Sequence, residues 1–239
     1  MGLLDVLFGG NTLYYPGCLA KYVARDVSEK YEKILRKIGI DFIKLEDLEV
    51  CCGSPVLNAG YKKEFMELVE KNRKIFKDHS VKKIITPCPA CYKIFSQEYS
   101  KSGKWDIKVE HITQTILKAL EKGKLKLKRK ELKVTFHDPC HLGRYCHIID
   151  EPRNILKYIG MEVVEMRNFG KDSLCCGAGG GMKTNYPNVA NAIARKRIRQ
   201  AEETGAEAVV TACSLCKLHL AENAKKMKVF ELSEVIEFE

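Results

Sequence analysis

Ten of the eleven cysteines fall into two sets whose spacing suits metal or redox chemistry. In the second half of the chain, Cys140 stands in His137-Asp138-Pro139-Cys140-His141. Adjacent Cys175 and Cys176 run into Gly177, and Cys213 and Cys216 form a C-x-x-C pair. The first half carries the same set: Cys18 after Tyr15-Pro16-Gly17, then Cys51-Cys52-Gly53, then Cys88-Pro89-Ala90-Cys91. Matching cysteines are offset by 122, 124, 124, 125 and 125 positions. A period of this length is too long for a solenoid unit and about right for a small domain, so the chain reads as a duplicated cysteine-bearing module.

Thiolates grouped in this way bind zinc, bind an iron–sulfur cluster or pair as disulfides. Disulfides fit a reducing compartment poorly, and adjacent cysteines close only a strained ring. Structural zinc takes four ligands, usually from two C-x-x-C or C-x-x-H pairs, whereas each set here has five cysteines and a single such pair. An iron–sulfur cluster suits the set better, because it needs thiolates from several directions and N–H donors from closely approaching backbone. Glycines after Cys52 and Cys176 allow that approach. The Gly179-Gly180-Gly181 run lacks the Lys-Ser/Thr of a phosphate loop, which argues against a nucleotide.

The elements needed to bring these thiols together follow from the pattern between them. Short β-type runs at 13–15, 41–45 and 81–86 each lead into a cysteine group, and runs at 132–137, 162–166 and 208–211 do so in the second half. Apolar residues at helical spacing predict helices from Val23 to Ile38, from Tyr61 to Phe76, from Ile112 to Leu120, near Pro152 to Ile159 and from Pro187 to Glu203; Val229 to Leu232 suggests a last strand. The expected fold class is α/β: two tandem related modules, residues 1–125 and 126–239, each a small mostly parallel sheet flanked by helices. The cysteines then sit at the strand carboxyl ends, where ligands bind in such sheets. Residues 104–131 give the least regular pattern.

Composition narrows the class further. Hydrophobic residues make up 45% and charged residues 30% of 239 residues, as in an ordinary globular protein with a sizeable core. The net charge of +10 is dispersed over helices, with one denser run from Lys118 to Lys133. No aromatic platform or nucleic-acid motif accompanies it, so the expectation is no nucleic-acid partner and a solvated connector, or a docking face for an acidic partner. Met1 to Phe8 has no basic n-region or cleavage site, and no run approaches the length of a membrane span, which makes the expected compartment cytoplasmic. Those first residues read as a short helix packed on its own domain, with an apolar tag as the alternative. Peripheral membrane contact is expected only through that segment or through partners.

The repeated pattern C-x(32–34)-C-C-G-x(34–35)-C-x-x-C resembles the cysteine-rich CCG domain found in the B and D components of heterodisulfide reductase and in the glycolate oxidase iron–sulfur subunit. The likeness spans nearly the whole chain. His137-Asp138-Pro139-Cys140-His141-Leu142-Gly143 and Cys175-Cys176-Gly177-Ala178-Gly179-Gly180-Gly181 look most like the branch formed by the D component and glycolate oxidase. The resemblance implies that Cys18, Cys51, Cys52, Cys88 and Cys91 hold one noncubane [4Fe-4S] cluster. It implies a second held by Cys140, Cys175, Cys176, Cys213 and Cys216, and this second set is assigned the catalytic role. Some family members bind an ordinary cubane or a zinc in one unit.

The implied function is that of an iron–sulfur subunit of a heterodisulfide-reductase-like oxidoreductase complex, acting on a small disulfide or thiol substrate. The chain shows neither the ferredoxin-like C-x-x-C-x-x-C-x-x-x-C-P segment nor a flavin-binding pattern, so electrons are expected from a ferredoxin-like or flavoprotein partner. The alternatives are an electron-transfer subunit of a flavin-dependent 2-hydroxyacid dehydrogenase and a zinc-stapled interaction module. Among other residues, Cys146 reads as a small buried filler and Trp105 as a packing residue. His137 and His141 are candidates to donate to a cluster sulfide or a substrate thiolate, with a structural role as the plainer reading. Arg195, Lys196, Arg197 and Arg199 read as one solvated basic helix face.

Overall fold

The computed structural model describes residues 10–239, so the expectation for Met1 to Phe8 lies outside the described residues. The chain divides into two compact units between Thr115 and Ile116. Each unit is a parallel sheet flanked by helices. In the first, β1 (Asn11–Tyr14), β2 (Val81–Thr86) and β3 (Lys108–His111) lie side by side in that order. In the second, β4 (Lys133–His137) is flanked by β5 (Glu162–Val163) and β6 (Ala208–Thr211), and β7 (Lys228–Glu231) lies beyond β6. A bridge between Leu13 and Ile43 on the open side of β1 puts Ile43 at the station that β5 holds in the second unit.

Two strands come out shorter than their sequence pattern. Ile43 is a single bridge because Leu45 already turns into the right-handed helical region as it leads into the 3-10 turn Glu46–Leu48. β5 keeps two residues. β3 sits at an edge within the irregular stretch 104–131. Its hidden carboxylate, Glu110, is held by Lys83 at 2.9 Å and Lys108 at 3.3 Å, a polar strand that apolar alternation does not reveal. The Lys118 to Lys133 run is not a bare connector: alternate Leu125 and Leu127 are buried, and Leu127 pairs antiparallel with Phe238 in the second unit.

The repeat can be followed residue by residue. Tyr14 pairs with Ile85 and Phe136 with Val210, so Tyr15 and His137 occupy matching stations at the ends of their strands. Helix Lys62–Asp78 buries Phe65, Val69, Asn72 and Phe76; helix Pro187–Glu202 buries Ala190, Ala194, Arg197 and Ala201 at a constant offset of 125. The first unit fills its core with rings: Trp105 stacks on Phe95 at 6.3 Å and meets Tyr99 edge-on at 4.9 Å, the packing role expected of it. The second unit puts alanines where the first has Phe65, Val69 and Phe76, so less side-chain volume separates the helix from the sheet there.

Candidate functional site

Four of the six cysteine groups lie just past a strand carboxyl end, and the two C-C-G turns lie farther on, beyond the 3-10 turns Glu46–Leu48 and Gly170–Asp172. Cys88 and Cys213 are the N-cap residues of helices Pro89–Lys93 and Ser214–Asn223, which follow β2 and β6. Cys18 and Cys140 open helices Cys18–Tyr22 and Cys140–Cys146 after β1 and β4. The first turn of a helix presents unpaired N–H groups and favours a thiolate there.

The C-C-G turns are alike in both units. Gly53 and Gly177 have φ of 91° and 92°, in the left-handed region. This turn points each backbone N–H at the sulfur two residues earlier: Gly53 donates to Cys51 Sγ at 3.4 Å, and Gly177 to Cys175 Sγ at 3.3 Å.

The thiols of each set feel one another's charge. In the first unit Cys91 Sγ lies 3.3 Å from Cys52 Sγ, and a Cβ on Gly17 would sit 3.2 Å from Cys91 Sγ. In the second, Cys216 Sγ lies 3.3 Å from Cys176 Sγ, and Cys140 is hydrogen-bonded to Cys175. Ionisation is divided unevenly. Hydrogen bonds from Cys51 and Cys91 hold the Cys52 thiol well below its ordinary value despite burial, and those from Cys140 and Cys176 do the same for Cys175. The donors move the other way. Cys51, Cys91, Cys140 and Cys216 are all raised, each first by its hydrogen bond to a neighbouring sulfur and then by burial, while Cys176 is pushed up to about 12 by its bond to Cys175. One thiolate is stabilised by its neighbours' protons; five together require a multivalent cation among them.

The surroundings of the two sets differ. Around the first, the side chains that hydrogen-bond to the C-C-G turn are neutral: Tyr99 Oη donates to Cys52 O at 3.2 Å, Asn72 Nδ2 donates to Cys51 O at 3.0 Å, and Tyr15 Oη donates to Val50 O at 2.5 Å. Beside the second set, His137 at the end of β4 is fully buried, and its ring nitrogen lies with Cys176 Sγ and Cys216 Sγ in a group whose atoms are all within 4.8 Å of one another. His137 Nδ1 accepts from Arg197 Nε at 3.0 Å, while His137 Nε2 is buried without a hydrogen-bond partner. A guanidinium only donates, so the ring proton of the neutral imidazole sits on Nε2. Burial and the Arg197 charge pull the imidazole down to about 3, which keeps it neutral.

Sequence reasoning missed Arg197. Arg195, Lys196 and Arg199 are exposed as expected, but Arg197 is 1% exposed and points into the unit. The signal was the helical period: 190, 194, 197 and 201 form one face, and the other three are alanines. Cys146 is half-buried at the end of its helix rather than a core filler, because the chain turns there through His147 in the left-handed region. His141 lies 3.5 Å from Cys140 Sγ through Nδ1 and packs edge-on against Tyr145. None of the described cysteines is in a disulfide.

The donor sets fit an iron–sulfur group. Soft sulfur donors neighbour one another in each unit, a backbone N–H reaches a sulfur in each, and an orphaned buried N–H belongs to the ring beside the second set. Among the described residues no helix is long and apolar enough to cross a membrane.

Comparison with known proteins points the same way. The family model described as "CCG: Cysteine-rich domain" matches residues 12–96 and 134–221. The D component of dihydromethanophenazine:CoB--CoM heterodisulfide reductase from Methanosarcina acetivorans is 32% identical over 95% of this chain and 57% of its own length. The B component of fumarate reductase (CoM/CoB) from Methanothermobacter marburgensis is 32% identical over 96% of this chain and 46% of its own. EtfAB:quinone oxidoreductase of Syntrophomonas wolfei is 34% identical over 94% of this chain and 34% of its own. The chain thus spans about half the length, or less, of these curated relatives.

Proposed function

The chain belongs to the cysteine-rich CCG domain family, and from that premise we propose that it is an iron–sulfur subunit of a heterodisulfide-reductase-like oxidoreductase complex. It acts on a small thiol–disulfide substrate with electrons from a ferredoxin-like or flavoprotein partner, in the cytoplasm. The observation that carries this reading is the same arrangement in both units: a C-C-G thiol 3.3 Å from the last cysteine of its unit, beside a turn that aims an N–H group at sulfur.

Cys18, Cys51, Cys52, Cys88 and Cys91 would hold one noncubane [4Fe-4S] cluster, and Cys140, Cys175, Cys176, Cys213 and Cys216 the second, where substrate chemistry takes place. A cluster held there supplies one-electron steps and iron that can take a sulfur ligand. The chain's own residues do the rest. Gly53 and Gly177 direct N–H groups at sulfur, and buried Cys52, Cys91, Cys176, Cys213 and Cys216 exclude water from the inner side of each set. Cys18 remains exposed, which leaves the first set an open side.

Iron, sulfide and zinc content, with EPR, on protein purified without oxygen tests the reading. About eight irons per chain, the content of two four-iron clusters, with an EPR signal that changes when thiol or disulfide is added, is the expected result. Zinc without iron would sink it. A second reading, an electron-transfer subunit of a flavin-dependent dehydrogenase, draws support from the likeness to EtfAB:quinone oxidoreductase. Cubane-type signals indifferent to thiols, with a flavoprotein co-purifying, would favour that one.

A further inference from the structure

The two thiol sets are alike in sulfur and unlike in charge, and the difference is concentrated at one pair of matching stations. Where the first unit places Asn72, the second places Arg197; where the first has Tyr15, the second has His137. Asn72 and Tyr15 are neutral. Arg197 is 1% exposed, and its partners are Asn168 O at 2.8 Å, Gln200 Oε1 at 2.9 Å, Ser173 Oγ at 3.0 Å and His137 Nδ1 at 3.0 Å. None of these is a carboxylate. The nearby Asp138 is engaged by Arg153 through both oxygens at 2.7 and 2.9 Å and by the Gly170 N–H at 2.8 Å. Burial pulls the Arg197 guanidinium down to about 10, which leaves it charged at neutral pH. A buried cation without a carboxylate in direct contact is costly unless negative charge lies nearby; Asp138 and Glu165, which share Arg153, supply part of it, and Cys216 of the second set stands within reach as well.

We propose that Arg197, acting through His137, makes the second thiol site the more readily reduced of the two. An iron–sulfur group held by Cys140, Cys175, Cys176, Cys213 and Cys216 then takes an added electron at a higher potential than its counterpart. This rests on the functional reading above. Each electron adds one negative charge to the site. The guanidinium stabilises that charge directly, and it also fixes His137 as the Nε2–H tautomer, which leaves an unpartnered donor on the ring that stands beside Cys176 and Cys216. One carboxylate opposes it. Glu231, which raises the Cys213 thiol, already accepts from Ser233 N at 2.8 Å and from Ser233 Oγ. In the first unit the matching station is held by neutral Asn72, which donates to Cys51 O at 3.0 Å. Arg197 is a positioning residue in this account, as it touches the imidazole rather than the reacting atoms.

The test is an anaerobic, dye-mediated reductive titration of the iron-loaded full chain with dithionite, followed by EPR, with iron content measured in parallel. Two one-electron waves are expected. The one lost in Cys176→Ser lies higher, and the one lost in Cys52→Ser lies lower. Arg197→Gln should move only the higher wave, downward, by at least tenfold in the one-electron equilibrium, or about 59 mV; Arg197→Lys should recover most of the shift. If Arg197→Gln loses iron from the second site, the order of the waves in the unsubstituted chain decides. Iron in both sites with equal or reversed potentials overturns this inference alone. An unmoved higher wave in an iron-replete Arg197→Gln protein does the same. Absence of iron overturns it together with the functional reading.

Discussion

A Cβ on Gly177 would stand 2.6 Å from the carbonyl oxygen of Ala190, in the helix that packs across the second thiol set. The matching Gly53 would meet the Phe65 ring at the same distance. Both glycines also have φ near 90°, a conformation that costs a side chain about 1–2 kcal/mol. A ring can rotate away and a helix carbonyl cannot. Gly177→Ala is therefore expected to destabilise its unit by roughly 3 kcal/mol, with Gly53→Ala costing less. Urea midpoints of the two metal-free variants measure the difference; equal losses would show that the carbonyl contact is relieved.

Arg153 joins Asp138 and Glu165 in one bidentate network, with Nε donating to Glu165 Oε1 at 2.6 Å and Nη2 to Glu165 Oε2 at 2.9 Å. Asp138 is 1% exposed, and the Gly170 N–H also leans on it. Arg153→Ala leaves that carboxylate buried without its cation, which costs about 3–5 kcal/mol. Replacing Glu165 by Gln should cost under about 1 kcal/mol, since its carboxylate is partly exposed to solvent. Thermal unfolding of both variants separates a buried pair from a peripheral one.

The duplication, the ten thiols and six of the seven strands were legible because each rests on a local signal: a spacing, a glycine turn, an apolar run. What the sequence concealed depends on tertiary placement. Arg197 looks like its neighbours Arg195, Lys196 and Arg199 in a composition count, and only the alanines at 190, 194 and 201 betray that its face is turned inward. β3 escaped because its buried Glu110 is polar, held by two lysines that come from Lys83 on the neighbouring strand and from Lys108 beside it. The strand expected over 41–45 shrank to Ile43 because one residue's turn conformation ended the ladder, a choice that apolar alternation does not record.

His111 is fully buried, with Nδ1 2.8 Å from Thr113 Oγ1 and Nε2 3.2 Å from Pro87 O. Burial pulls its imidazole down to about 3. The unfolded chain takes up this proton near pH 6.5 while the folded chain does not. Stability is therefore complete above that value and is lost as pH falls from 6.5 toward 3, at up to about 1.4 kcal/mol per pH unit for this one group. His111→Asn should lower stability at pH 7 and flatten the slope between pH 6 and 4. Urea midpoints at each pH check it, and parallel curves for the two proteins would remove His111 from the acid limb.

Cys52 and Cys176 are buried thiols, each 4% exposed and each 3.3 Å from the last cysteine of its own unit. A serine in either place offers a harder oxygen donor that reaches less far and ionises at much higher pH, so it cannot replace the thiolate at iron. Cys52→Ser should halve the iron and sulfide per chain and leave the second site's EPR signal intact; Cys176→Ser should give the converse loss. Activity distinguishes the sets further. With a small disulfide as substrate and dithionite-reduced viologen as donor, Cys176→Ser should lower turnover at least a hundredfold, about 2.7 kcal/mol of barrier. Cys52→Ser should retain measurable turnover with the same artificial donor, which can reach the second site without a physiological partner. Full iron and unchanged turnover in both variants would show that these cysteines hold neither group.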